Sequence, residues 1–388
     1  MTLRINRSVL LAAVVALATS ACGGNGAVPS NAAAAAAAHS GAAPADTTSI
    51  LKLLTKDVTI GSTVDPTNGD KGPRAVTVIQ ENGGKLKKGQ LLVCNFEDLS
   101  GTAGNGTTIE QFSPTASSKP ATFLQSSEIE GCDGSAVSGA DGDAYATGFT
   151  SKVMVEINDD GQLKKTFGKP ITQPFGDVAG PPLSLYSRDY IFAGNADTGG
   201  IDSFAFGGYD ASHGTEIVNG FDVNIGSGWS ALGPSVAYWC GALPGESSCP
   251  YKHQSDSLFV VDGACNAIVE ITNATSLLET DEITVEPGCK KFKCEYPKTS
   301  CAKLVKAGSP LDKPVAITTL PNGNLILANT GNNTLVEMTQ TGQVLDTKVV
   351  DKSKTAGIFG LAANGKTDSN TVLFYTDTNT NTLHELEQ

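Results

Sequence analysis

Charge and aromatic rings are scarce in this sequence: 17% of its 388 residues are Asp, Glu, Lys or Arg, and 6% are Phe, Trp or Tyr. A helical domain needs Lys and Glu to cover its solvent faces. Low charge combined with 43 glycines and 18 prolines therefore excludes a helix-rich chain and points to many short strands joined by turns. Positive charge is scarcer than negative. The formal net charge of −13 gives a surface that repels phosphate backbones and excludes nucleic acid as a partner. Long apolar runs are missing too: residues 9–18 are ten apolar residues, against the ~20 that a transmembrane helix needs.

Motifs that carry chemistry are equally thin. There is no G-x-S-x-G nucleophile elbow. Ser300-Cys301-Ala302-Lys303 fits S-x-x-K but has no companion K-T-G, and Gly226 to Ala231 fits G-x-G-x-x-A without a strand-to-helix unit around it. The four histidines, His39, His213, His253 and His384, show no paired ligand spacing. No catalytic residue, metal site or cofactor is expected, although an enzyme is not excluded.

What is present begins with a targeting segment. Arg4 and Arg7, the apolar run 9–18 and then Ala18-Thr19-Ser20-Ala21-Cys22 read as a signal peptide over residues 1–21. The stretch resembles a bacterial lipoprotein signal, which implies lipidation of Cys22; Thr19 stands where a leucine is usual, so plain secretion is the alternative. Residues 22–49 are mostly Gly, Ala, Ser, Pro and Asn, with seven consecutive alanines from Ala32, and have little to bury. They are expected to be a flexible tether. The expected location is the bacterial cell envelope, on the periplasmic or surface side, with the lipid anchor as the one membrane contact.

The rest of the chain repeats. Lys313-Pro314-Val315-Ala316-Ile317, a turn at Asn322-Gly323, the run 324–329, then Thr334-Leu335-Val336-Glu337, a turn at Thr341-Gly342 and the run 343–350 read as four short antiparallel strands. Asn-Gly between apolar runs is a strong hairpin signal, because both positions tolerate positive φ. The second and third strands of this unit recur six times, closing on Glu110, Glu156, Asp202, Glu270, Glu337 and Glu385. Successive gaps are 46, 46, 68, 67 and 48 residues, a period near 46 with two additions, which suits a four-stranded propeller blade. The predicted fold is all-β, a six-bladed β-propeller over residues 50–388. Its sixth unit lacks a fourth strand, which residues 50–60 are placed to supply. The acids, recurring at one strand position, are expected to face solvent or bond a neighbouring turn.

These units resemble NHL repeats, and the ring is similar to the NHL and SMP-30-like six-bladed propellers. The resemblance implies a fold shared by scaffolds, ligand receptors, lyases and metal-dependent lactonases, so it leaves function open. The lactonases place Glu, Asn and Asp around the central channel. At the expected inner-strand starts this chain has Arg74, Asp133, Ser184, Ser235, Val315 and Phe359, and one carboxylate does not make a calcium site.

Nine cysteines less Cys22 leave eight, an even number in an exported chain, and disulfides are expected. Cys240 and Cys249 share one loop, and Cys94 and Cys132 fall at one ring face. Cys265, Cys289, Cys294 and Cys301 have three possible pairings. The two additions, about 240–256 and 287–312, carry five of these cysteines, and the second is basic through Lys290, Lys291, Lys293, Lys298, Lys303 and Lys306. Lys290, Lys291 and Lys293, with Asn95 and Asn195 in loops of the same face, are the candidate ligand contacts. Trp229 and Trp239 are either a stacking platform or packing between blades. The favoured reading is a monomeric, non-catalytic propeller that binds a protein, a glycan or a small anionic ligand on one face. The alternatives are an SMP-30-like or NHL-like hydrolase or lyase with an atypical channel site, and a passive envelope protein.

Overall fold

The hairpin read from residues 325–338 pairs Leu325 with Met338 and Asn329 with Thr334, and all ten of its strand residues are buried. A strand exposed on one face would alternate. Burial on both faces means that each sheet is packed between two others. The computed structural model describes residues 47–388 apart from 139–141, 181–188, 207–213, 225, 227, 241–255 and 278, and its strands form six antiparallel blades around an axis.

From the axis outward, blade one is Lys71–Val78, Leu91–Glu97, Thr108–Phe112 and Ala121–Gln125; blade two is Cys132–Val137, Ala144–Gly148, Val153–Ile157 and Leu163–Phe167. Blade three is Pro174–Ala179, Asp189–Asn195, Gly200–Phe206 and Gly214–Asn219; blade four is Pro234–Trp239, Ser257–Asp262, Ala267–Thr272 and Ala302–Ala307. Blade five is Pro314–Thr319, Leu325–Asn329, Thr334–Met338 and Val344–Val349. Blade six takes Ile358–Asn364, Val372–Asp377 and Thr382–Glu387 from one end of the fold and Lys56–Ser62 from the other. Lys56 lies opposite Glu387 and Ser62 opposite Thr382, so the amino-terminal strand closes the ring and covers a free edge.

The apolar core is divided in the same way. Separate clusters fill the seams between successive blades, such as Leu92, Ile109, Ala146 and Val155 between blades one and two, and Phe259, Ile268, Leu327 and Val336 between blades four and five. A further cluster sits on the axis.

The closing segment differs in detail from its expected limits. Residues Ile50–Leu53 form one helical turn rather than strand, because Ser49 caps it and the Glu337 carboxylate accepts the N–H groups of Ile50 and Leu51. Of the two roles expected for the repeated acids, solvent exposure does not hold for Glu110, Asp202 and Glu337, which are fully buried, whereas Glu337 does bond a turn, at Ile50 and Leu51.

The larger addition, expected between the fourth strand of one blade and the first strand of the next, belongs one strand earlier. Ala302–Ala307 is the fourth strand of blade four, so the added residues lie between its third and fourth strands. They send out the hairpin Ile283–Val285 and Phe292–Cys294, which extends the sheet of blade three beyond Gly214–Asn219. Cys265–Cys289 and Cys294–Cys301 pair, resolving the three possibilities, and Cys94–Cys132 pair as expected. Cys240 is disulfide-bonded; Cys249, its expected partner, lies outside the described residues, as does Cys22. No helix among the described residues is long and apolar enough to cross a membrane.

Candidate functional site

Where the inner strands begin, five of the six shift register against their neighbours: between Pro73 and Ala75, Cys132 and Gly134, Phe175 and Val178, Pro314 and Ala316, and Ile358 and Leu361. A bulge re-aims the extra residue. The residues placed there include Arg74, Asp133, Gly176, Val315 and Phe359, and this end of the axis is therefore closed by side chains rather than open.

Arg74 is the centre of that plug. Its guanidinium is 2% exposed and makes an ion pair through Nε with Asp133, which is fully buried. Five rings surround it, with centroids at 4.3 Å (Phe96), 5.1 Å (Phe175), 5.2 Å (Phe359), 5.4 Å (Trp229) and 5.9 Å (Phe149). All lie within the ~6 Å at which a ring face attracts a cation. Asp133 also accepts the Gly176 N–H at 3.0 Å. Gly176 has φ +70°, and a Cβ there would meet Ser235 at 2.5 Å, so glycine is required where blades three and four approach the axis. Burial pushes the Asp133 carboxyl up to about 6, against the pull of Arg74 and of that N–H; burial likewise lowers Arg74. The two charges cancel, so the plug carries no net charge.

At the other end of the same strands the axis opens into a cavity of about 200 Å³, with walls from the inner strands and their following residues in all six blades. Thr77, Gln80, Ser135, Thr318 and Thr319 are among its lining residues, and among the described residues none of the lining side chains is charged. Thr77 donates to the Ser135 carbonyl at 2.6 Å and accepts from the Ser135 hydroxyl at 3.1 Å, which fixes both hydroxyls across the seam between blades one and two.

The residues singled out from the sequence are dispersed. Asn95 is fully buried and donates to the Thr63 carbonyl and the Thr108 hydroxyl; Asn195 is fully buried and donates to Asp202 while accepting from the Gln173 and Asp197 N–H groups. Both organise turns instead of facing a ligand. Their place at the end of a second strand, matched by Asn329 with its bonds to Pro310 and Asp312, was the signal: a residue type repeated in register serves the blade. Lys290 and Lys291 lie in the turn of the added hairpin, which Cys289 ties to Cys265 in a turn of blade four; Lys293 pairs with Glu286 at 3.6 Å. These lysines are exposed, on the outside of blade three and remote in the sheet order from the axis.

Trp239 is buried in the seam between blades four and five, and Trp229 is half-buried over the plug against Phe96 and Phe359, donating its indole N–H to Glu97. Asp222, Cys265 and Cys289 are the one acidic or sulfur cluster of metal-binding size among the described residues, but both sulfurs are in a disulfide. Ser184, His213 and His253 lie outside the described residues; blade three starts at Pro174, so Phe175 and Gly176 hold the axial place expected for Ser184.

Architecture and axis together define a six-bladed β-propeller with a plugged channel. In fold the chain is similar to a gluconolactonase from Xanthomonas campestris, with a TM-score of 0.53 and 11% identity over 86% of this chain and 89% of that one. A virginiamycin B lyase from Staphylococcus aureus aligns with a TM-score of 0.45 and 14% identity over 86% and 88%. No family model and no curated protein matches. At these identities the likeness shows the fold alone.

Proposed function

We propose that the protein is an exported propeller, anchored through Cys22, that binds a small ligand in its axial cavity without transforming it. The observation that carries this reading is the asymmetry of the axis. One end is filled by Arg74, Asp133 and five rings, and the other is a cavity of about 200 Å³ walled by all six blades. Concave sites that gather groups from several elements are where folds place ligands. The basic hairpin remains a solvated elaboration in this reading, since Lys293 is paired locally and the hairpin stands at the rim. Thermal-shift screening of the full chain against a small-molecule panel, repeated with Thr318→Trp to fill the cavity, tests it. Hits abolished by the substitution are expected; hits that persist would place binding elsewhere. In cells, Cys22→Ala should leave the membrane fraction.

A second reading, a hydrolase or lyase acting at the same axis, draws on Asp133. Its carboxyl, raised to about 6, lies in the range where a group both holds and releases a proton near neutrality. Turnover of lactone substrates, abolished by Asp133→Asn, would favour it over the first.

A further inference from the structure

We propose that Thr382, His384 and Asp57 form a covalent acyl-transfer site on the outer part of blade six, away from the axis. Thr382 takes the acyl group of an ester with a good leaving group, His384 carries the proton, and Asp57 orients His384.

Strand register brings the three together. Thr382 and His384 are two residues apart on the third strand of blade six, so both point to the face that carries Leu386 and packs against blade five. On the neighbouring strands Tyr375 lies opposite His384 and Asp377 opposite Thr382. Asp57, opposite Leu386 on the closing strand, is diagonal to His384 on the same face. The two ends of the fold thus contribute to one row of polar side chains, which is why no motif in the sequence announces it.

Distances in that row are those of a relay. Thr382 Oγ1 is 2.8 Å from His384 Nε2, and His384 Nδ1 is 3.0 Å from Asp57 Oδ1. An ionised carboxylate can only accept, so Nδ1 carries the ring proton and the Nε2 lone pair is left for the Thr382 hydroxyl. Burial opposes the charge on Asp57, but the bonds from His384 and Tyr375 and the charges of His384 and Lys348 outweigh it and hold the carboxyl below its ordinary range. Tyr375 fixes the arrangement twice. Its hydroxyl donates to Asp57 Oδ2 at 2.6 Å, and its ring stacks on the imidazole with centroids 4.8 Å apart. Thr380, 2.6 Å from Thr382, gives its own proton to Asp377, so it competes with His384 only as an acceptor, and an imidazole nitrogen is the stronger base.

A hydroxyl bonded to a base that a third group orients is the arrangement that makes a weak nucleophile reactive. Solvent reaches this one: the His384 and Asp57 side chains are 16% and 41% exposed, and Thr382 is half-buried. In the reaction Thr382 Oγ1 adds to the ester carbonyl carbon while its proton passes to His384 Nε2. The bond from that carbon to the leaving oxygen then breaks, His384 returns the proton to the departing oxygen, and Thr382 is left as an acyl ester. Water repeats the sequence. It adds to the acyl carbon and gives a proton to Nε2, and the freed Thr382 oxygen takes that proton as the carboxylic acid leaves. A weakly basic leaving group suits the site, because the relay assists the attack and such a group departs with little further help.

The test uses p-nitrophenyl acetate with the full chain, following p-nitrophenolate release and locating the acetylated peptide by mass spectrometry after acid quenching. The adduct is expected on Thr382. Thr382→Val, which is isosteric, and His384→Gln should each lower the rate roughly a hundredfold or more and abolish the adduct, whereas Thr382→Ser should keep it. Asp57→Asn can donate to Nδ1 and hold the imidazole in the other tautomer, so it should lower kcat at least ~tenfold with KM unchanged. Melting curves check that each variant is folded. Release at the wild-type rate from folded Thr382→Val or His384→Gln, or adducts confined to other residues, overturns the site. An unchanged kcat in folded Asp57→Asn overturns the role of Asp57.

Discussion

Glu110 shows what one residue can do to this ring. Five of the six repeated acids have a donor or a cation within reach, as Glu156 has Lys164 and Glu270 has Lys303, whereas Glu110 faces another carboxylate, Asp65. Burial, then the hydrogen bond to Asp65 and the charges of Asp65 and Asp70, push the Glu110 carboxyl up to about 9. Glu110 is thus protonated at neutral pH and donates to Asp65, whose own carboxyl is lowered by this bond and by those from Thr122, Asn68 and Thr67. The folded state keeps a proton that the unfolded chain releases near pH 4.5. This contribution is full below that pH and is lost as pH rises through about 9, at up to ~1.4 kcal/mol per pH unit. Glu110→Gln, which can still donate to Asp65, should melt a few degrees above the wild type at pH 8 and within one degree of it at pH 4.5. Equal melting curves at pH 8 would show that the pair shares no proton.

Nothing in the spacing of the repeat distinguishes Glu110 from its five counterparts. The strand position was legible because it recurs. The partner was not, since Asp65 comes from the linker between the closing strand and blade one, which has no counterpart in the repeat. Arg74 was hidden for a similar reason: it stood among the inner-strand starts, but of the five rings around it only Phe96 belongs to its own blade, and the other four come from turns and inner strands elsewhere in the ring.

At the scale of the element, the helical turn Ile50–Leu53 is too short to hold itself, since nucleating a helix costs more than one turn returns. It is held by Glu337, which accepts from the Ile50 and Leu51 N–H groups, from the Ser49 hydroxyl and from the Asn324 amide, and by Ile50, Leu51 and Leu54 packing into the seam between blades five and six. Glu337→Ala should cost about 2–3 kcal/mol through lost hydrogen bonds to a charged acceptor and open residues 47–55 to proteolysis before the ring unfolds. Uniform protection of that segment would contradict the latch. Periodicity gave the closing strand its place, but the turn before it depends on a carboxylate nearly 290 residues away in sequence, beyond the reach of local pattern.

At the scale of the whole molecule, seams are reinforced by disulfides and by added strands. Cys94–Cys132 ties blade one to blade two, and the hairpin rooted in blade four extends blade three and is fixed by Cys265–Cys289. In the loop-entropy picture a 38-residue closure is worth about 4 kcal/mol and a seven-residue closure about 2. Replacing both Cys94 and Cys132 with serine should therefore lower stability in urea about one and a half times as much as replacing Cys294 and Cys301. The reverse order would mean that the short loop bears strain-free contacts that the long one lacks. The number of blades and the all-β class were legible from the period near 46. The migration of added strands from one blade to its neighbour was not, because edge pairing leaves no periodic mark.

Closure by Lys56–Ser62 also orders events in time. The Lys56 and Glu387 side chains meet across 331 residues of chain, the longest loop a strand pair here must close, and synthesis from the amino terminus delivers its two halves first and last. Until the last strand, Thr382–Glu387, arrives, Lys56–Ser62 has no strand to pair with and blade six is not closed. A ligand in the axial cavity is therefore held only by molecules whose two chain ends have met.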